Sequence, residues 1–289
     1  MLLGFSPLYN FAVVVDDHEM GISHVIRGED HIANTPKQIA MQRALNFNVP
    51  TYAHLPLILN PDRSKLSKRY AETSLLAYRG KYLPEAVINF MAFLGWHPKE
   101  EKDVMTAEEL IKEFDLERVQ KAGAVFNEEK LKWLNAEHMK RKQDQVIQTT
   151  AQGILENYSG VTPEKAHSTA ELIFSRMKTL DDYNELAKPI LELLFYEPEL
   201  LIWKNTNKSI AKAHLGAVKK IINELEPLDL NRAEEAIMAY ANTEGRGEVL
   251  WPLRVALSGE RDSQGPFELM KVLGKDETLR RINIAINKL

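Results

Sequence analysis

The chain of 289 residues contains no cysteine, which excludes disulfides and thiolate zinc sites. That usage fits a reducing compartment. Its eight histidines include no pair at i, i+3 or i, i+4, so no metal site and no bound zinc are expected. Neither G-x-x-x-x-G-K-[ST] nor G-x-G-x-x-G occurs, which sets aside Walker-type and dinucleotide-dependent enzymes. No apolar run approaches the ~20 residues needed to span a bilayer. The apolar start lacks a basic leader and is interrupted by Asp16 and Asp17, so neither a signal peptide nor a membrane partner is expected, and the cytoplasm is the expected compartment. The net charge of −4 gives no global pull towards nucleic acid, and any RNA must be met by local basic patches. Internal repeats and low-complexity segments are missing too.

What is present is an ordinary globular composition, 44% hydrophobic and 27% charged, long enough for about two domains. Residues 10–16, Asn-Phe-Ala-Val-Val-Val-Asp, form a β-branched run that reads as a buried strand. His24–Arg27 reads as a second strand. Thr35-Pro36-Lys37-Gln38 opens a helix, with Thr35 as N-cap, Gln38 closing a capping box, and Ile39, Ala40 and Leu45 on its apolar face. Tyr52–Leu59 reads as a third strand, so strand, helix and strand predict a βαβ unit of a parallel sheet.

Beyond residue 70 the pattern turns helical. Pro84 starts a helix with Val87, Ile88, Met91 and Leu94 on its apolar face. Thr106 and Glu109 form a capping box before Leu110, Ile111 and Phe114. Asn127 caps a helix carrying Leu131 and Leu134, Thr162-Pro163-Glu164 starts another, and Asp276-Glu277 make an acidic first turn. The chain therefore reads as an α/β fragment, a mixed middle and an all-helical C-terminal half.

Two clusters carry chemistry. The loop Asn60-Pro61-Asp62-Arg63-Ser64 leads into Lys65-Leu66-Ser67-Lys68-Arg69, a basic segment suited to clamping a polyphosphate, although most short basic loops are solvated surface or weak anion sites. Arg27-Gly28-Glu29-Asp30-His31 follows the second strand, where α/β folds bind ligands. Arg27 there can grip a carboxylate through two parallel hydrogen bonds or pair internally with Glu29 or Asp30. Tyr9 offers a phenol to the same pocket or packs as core. Asp16 and Asp17 read as structural turn acids rather than as a metal or ribose site.

Taken in order, Tyr9-Asn10-Phe11-Ala12-Val13-Val14-Val15-Asp16-Asp17-His18, Val25–His31, Asn34-Thr35-Pro36 and Leu66-Ser67-Lys68-Arg69 resemble bacterial glutamyl-tRNA synthetases. Phe90–Trp96, Phe126–Asn135 and Pro252–Gly259 extend the resemblance over essentially the whole chain. It implies a partial Rossmann-type parallel sheet in residues 1–75, a mainly helical stem-contact segment in 76–142, and an α-helical anticodon-binding domain in 143–289. It also implies a ligase joining glutamate to tRNA-Glu through glutamyl-adenylate, with ATP and Mg2+ as the substrate complex. By motif position, Lys65 and Lys68 stabilise charge on departing pyrophosphate. Ser67, Lys68, Leu57 and Ile58 face ATP, while Tyr9 and Arg27 hold glutamate. Arg176, Arg254, Ser263, Gln264 and Pro266 meet the anticodon, whose unstacked bases are what RNA readers favour. A monomer is expected.

The main departure from the family pattern is the His-x-Gly-His signature, which does not occur in these 289 residues. This chain alone is therefore expected to make little or no adenylate. A non-catalytic tRNA-binding or scaffold protein derived from the family is the competing reading. A truncated tRNA-modifying relative is disfavoured because such relatives lack the helical half. A glutaminyl enzyme is disfavoured because its anticodon domain is built of β-barrels.

Overall fold

The computed structural model describes residues 7–66, 74–225 and 229–289, and the chain divides into two compact units, residues 1–138 and 139–289. The first unit holds α1 (Tyr9–Glu19), β1 (His24–Gly28), α2 (Thr35–Ala44), β2 (Thr51–Leu55), β3 (Ile58–Leu59), α3 (Pro84–Ala92), α4 (Ala107–Glu113), β4 (Ala124–Val125) and most of α5 (Glu128–Arg141). The second holds α6 (Gln143–Asn157), α7 (Pro163–Phe174), α8 (Tyr183–Leu191), α9 (Lys208–Glu224), α10 (Leu230–Glu244), α11 (Arg246–Ser258) and α12 (Pro266–Lys288).

The βαβ unit forms as expected. β1 pairs parallel with β2, Arg27 opposite His54, and α2 makes the crossover. β3 pairs parallel with β4 in a second, very short sheet. The expected strand 52–59 is two strands, because Pro56 lacks the N–H a continuous ladder needs.

Two local readings are corrected. The β-branched run at 10–16 lies inside helix α1, whose first turn forms on the Leu8 carbonyl. A valine-rich run prefers strand, but propensity is weak and packing overrides it. Val14 is fully buried while Phe11 stays 47% exposed, so only part of the run meets the core. In α2 the cap is Asn34, whose side chain makes no capping bond, and Thr35 already lies within the helix. The inward residues are Thr35, Gln38 and Gln42, whereas Ala40 and Leu45 face solvent. Of the expected apolar face, Ala40 and Leu45 thus turn outward and Ile39 is half-buried, while the polar residues turn inward.

Elsewhere the caps form where local chemistry demands them. Thr106 and Glu109 exchange bonds at the start of α4, Asn127 accepts from Lys130 N at 3.1 Å, and Thr162 accepts from Lys165 N at 3.3 Å. The core of the first unit gathers Tyr82, Val87, Phe90, Leu131 and Leu134, with Phe93, Trp96, Met105 and Leu110 in a second cluster. Ile88, Met91 and Ile111 do not join it and are exposed, while Asn89 and Phe90 are buried on α3.

The helical unit buries Ile154, Ile173, Ile190, Leu201, Leu215, Ile222, Leu253, Leu257 and Ile282 completely. α12 breaks at Gly274, φ 75°, so the acidic turn Asp276-Glu277 does open a new helical segment. At the centre sits Arg281, with no exposed surface. Its Nη1 donates to the carbonyls of Pro189 and Leu257, its Nη2 to Ile190 O at 2.8 Å, and its Nε to Glu277 Oε1 at 2.7 Å. The carbonyls left open where α8 and α11 end are thereby satisfied by one guanidinium.

Candidate functional site

The carboxyl ends of β1 and β2 carry the first cluster. Arg27 is held by three uncharged neighbours. Its Nη2 donates to Thr35 Oγ1 and to Gln38 Oε1, both at 2.7 Å, and its guanidinium lies 5.2 Å over the Tyr52 ring. Among the described residues it forms no ion pair with Glu29 or Asp30. Its Nε is buried without a partner, a donor available to an oxygen ligand. Glu29 turns away and accepts from Leu57 N at 3.1 Å. Tyr9, half exposed at the start of α1, brings its hydroxyl 3.5 Å from His31 Nδ1, and Asn34 reaches the same nitrogen at 3.2 Å. Tyr9 is therefore not a core tyrosine. Tyr9, His31 and Asp30 gather beside the strand ends, as does Arg27. Asp17 is pushed above the usual carboxylate range by burial, with Arg27 opposing that rise. Asp16 and Asp17 lie in the second half of helix α1 rather than in a turn after a strand.

The basic segment starts from a fixed root. Asn60, 1% exposed, donates to Ser64 Oγ at 2.8 Å and to Lys65 O at 3.0 Å, and Leu66 N donates to Ile58 O. Asp62 accepts from the main chain and hydroxyl of Ser64, closing the turn. Lys65 Nζ stands 3.5 Å from Asp30 Oδ2. With side chains 66% and 47% exposed, that pair holds Lys65 weakly, and an anion can displace Asp30. Ser67 and Lys68 lie outside the described residues. Leu57 has both main-chain groups engaged, its N–H with Glu29 and its carbonyl with Ala124 N at 3.1 Å. Ile58 is half-buried in β3, and its carbonyl receives Leu66.

The second cluster lies wholly in the helical unit, around the loop 259–265 between α11 and α12. Gly259 ends α11 at φ 78°, and a Cβ there would meet Leu194 O at 2.8 Å, so glycine is required. Arg176, exposed after α7, donates to Asp262 O at 2.9 Å. Arg254 on α11 reaches Arg261 O at 3.5 Å, and its Nε is buried without a partner. Ser263 donates to the Gln264 carbonyl at 3.2 Å. Gln264 is 6% exposed with its Nε2 unsatisfied, and Pro266 is buried in the first turn of α12. Arg176, Arg254, Ser263, Gln264 and Pro266, scattered over 91 positions of sequence, thus meet at one loop. Arginine donors and orphaned amide hydrogens beside main-chain groups are the equipment that reads unstacked bases.

Sequence reasoning missed Thr35, Gln38 and His54 around Arg27, and Glu260 and Asp262 at the loop. Their signal was the polar i, i+3 spacing of Thr35 and Gln38, which also fits a capping box. Glu260 is held above the usual carboxylate range chiefly by burial, with Arg176 acting in the opposite direction.

Comparison with known proteins matches residues 4–133 to the profile described as "tRNA synthetases class I (E and Q), catalytic domain", and residues 147–286 to "Anticodon binding domain". The glutamate–tRNA ligase of Aquifex aeolicus is 41% identical over 98% of this chain and 61% of that protein. That of Thermodesulfovibrio yellowstonii is 40% identical over 98% and 62%, respectively. A crystal structure of a glutamate tRNA ligase from Elizabethkingia meningosepticum, in complex with its amino acid, superposes with a TM-score of 0.83 at 33% identity, covering 97% of this chain and 60% of that one. The chain spans about 60% of the length of these relatives.

Proposed function

We propose that the chain is a member of the glutamate–tRNA ligase family of class I aminoacyl-tRNA synthetases and carries the anticodon-reading half and part of the activating site of such a ligase. In the complete reaction a glutamate carboxylate oxygen attacks the α-phosphorus of ATP–Mg2+ and pyrophosphate leaves. A ribose hydroxyl of tRNA-Glu then attacks the adenylate carbonyl and AMP leaves. Residues 1–75 supply glutamate and phosphate contacts, 76–142 a stem-contact segment, and 143–289 the anticodon reader, in a cytoplasmic protein.

In this reading Arg27 takes a glutamate carboxylate on its unpaired Nε, and Tyr9 contacts the same substrate. Lys65 leaves Asp30 for the phosphates, where Lys68 and Ser67 join it, and charge developing on pyrophosphate is offset by these cations. Leu57 and Ile58 face the adenine, although Leu57's engaged main chain leaves only the second lone pair of its carbonyl. No His-x-Gly-His signature is present, so these 289 residues alone make little adenylate. ATP–pyrophosphate exchange at a family-typical rate by this chain would overturn that statement.

The observation that carries the tRNA reading is the convergence of Arg176 and Arg254 on the loop 259–265. Titration of this chain with tRNA-Glu and tRNA-Gln tests it. Arg176→Ala is expected to weaken tRNA-Glu by roughly 1–3 kcal/mol and to narrow the difference between the two tRNAs. Equal loss for both, or none, removes the base-reading role. One observation favours a non-catalytic tRNA-binding role: the helical unit has a closed apolar core, whereas among the described residues 7–66 few large apolar side chains are buried. Adding, as a separate polypeptide, the part of a relative that this chain does not match separates the two, since only the ligase reading expects aminoacylation to appear.

A further inference from the structure

The side chains behind Arg27 carry an inference that rests on the glutamate-site reading above and deepens it. A carboxylate beside a guanidinium would hold it firmly but would also neutralise it, and an incoming anion would then meet a dipole rather than a charge. Here the hydrogen-bonding supports are neutral, and Asp17, which feels the Arg27 charge, forms no ion pair with it. Gln38 is fully buried, and its Oε1 accepts from Arg27 Nη2 at 2.7 Å. Thr35 Oγ1 accepts from the same nitrogen and lies 2.9 Å from His54 Nε2. The arginine donor fixes which end of the Gln38 amide faces it, so Nε2 points the other way and donates to Asn10 Oδ1 at 3.0 Å. Asn10 follows Tyr9 in α1.

We propose that Gln38 is a positioning residue: an uncharged anchor that fixes the direction of the Arg27 guanidinium, keeps its charge for a ligand carboxylate, and links it through Asn10 to the helix that presents Tyr9. The consequence is that the two glutamate contacts, 18 positions apart on α1 and β1, share one buried amide as their common reference. Asparagine at position 38 would be one methylene too short to serve both neighbours, and a carboxylate there would cancel the charge it holds.

The test reads the Nε–H resonance of Arg27 in the whole chain by 1H–15N spectroscopy, assigned with Arg27→Lys. L-glutamate is the titrant. In the wild type the signal is sharp, and glutamate shifts it saturably. Gln38→Glu keeps the shape and the acceptor, so it is expected to retain a sharp signal while weakening glutamate by about tenfold or more. Gln38→Ala is expected to broaden and average the signal. A purely structural role would lower thermal stability without altering the Arg27 resonance or its response. An unchanged resonance in Gln38→Ala, or wild-type glutamate affinity in a folded Gln38→Glu, overturns the proposal. Should Gln38→Ala fail to fold, the Gln38→Glu arm decides. If glutamate leaves the wild-type signal unmoved, the glutamate reading fails for this chain, and the sharpness of the signal with and without Gln38 decides the positioning role by itself.

Discussion

In residues 7–66 the buried side chains are Val14, Pro50, Thr35, Gln38, Gln42 and Asn60, while Tyr9, Phe11, Ile22, Ile26, Ile32, Leu45 and Val49 are exposed. In the helical unit each of the helices α6 to α12 buries at least one large aliphatic side chain completely, and the deeply buried charge of Arg281 is closed by four hydrogen bonds. The α/β segment spends its interior on polar residues that orient Arg27 and Lys65. The interior of the helical unit is mainly apolar, and the cluster around the loop 259–265 runs from the exposed Arg176 to the buried Gln264 and Pro266. The proposed glutamate contacts of the first therefore depend on internal hydrogen bonds, whereas the proposed anticodon contacts of the second gather around one loop.

The contrast can be broken most decisively at Arg281. Arg281→Met is expected to leave three main-chain acceptors unpaired and Glu277 with Arg280 alone, and to cost about 3–5 kcal/mol in denaturant unfolding of the helical unit. A loss under about 1 kcal/mol would mean the unit does not depend on that closure. Next come matched truncations. Leu215→Ala, at a fully buried site, is expected to cost about 2–5 kcal/mol. Ile26→Ala, at a 50% exposed site, is expected to stay within about 0.5 kcal/mol. Similar losses at both would erase the distinction between the two interiors. Hydrogen exchange gives a further comparison, since a two-stranded sheet with little apolar cover opens more readily than a packed helix. Amides of β1 and β2 are expected to exchange faster than those of α9, and the reverse order would contradict the burial pattern.

The smallest effect is pH-dependent. Glu277 is held down at about 2, first by its bonds with Arg280 and also by those with Arg281, against an ordinary value of 4.5. A carboxyl depressed in the folded state contributes stability above its unfolded value and loses it on acidification. The helical unit is therefore expected to weaken as pH falls from about 4.5 to about 2, and Glu277→Gln to flatten that slope. An unchanged acid profile in the variant would dissociate Glu277 from it.

What was legible in the sequence follows the range of the interaction. The caps at Thr106, Asn127 and Thr162 close bonds three residues away, and each formed where local chemistry placed it. The βαβ unit was legible because its β1, β2 and α2 are consecutive. The 10–16 run was misread because its valines speak for strand while only Val14 enters the core. α2 was misread because its inward face is polar, and periodicity alone treats Gln38 and Gln42 as surface. Arg281 was illegible for a related reason: a charged residue in a helical stretch looks solvated until distant carbonyls surround it. The five residues around the loop 259–265 were named by resemblance alone, since nothing local ties Arg176 to a segment 86 positions away.

The acceptors of Arg281 all belong to α8 and α11, and its carboxylate partner to α12. Everything that neutralises or satisfies this buried cation travels within residues 189–281. In the language of gene architecture, the helical part is a cassette: recombination at its border carries the lock and its keyholes together, so a graft onto another protein inherits no unpaired charge.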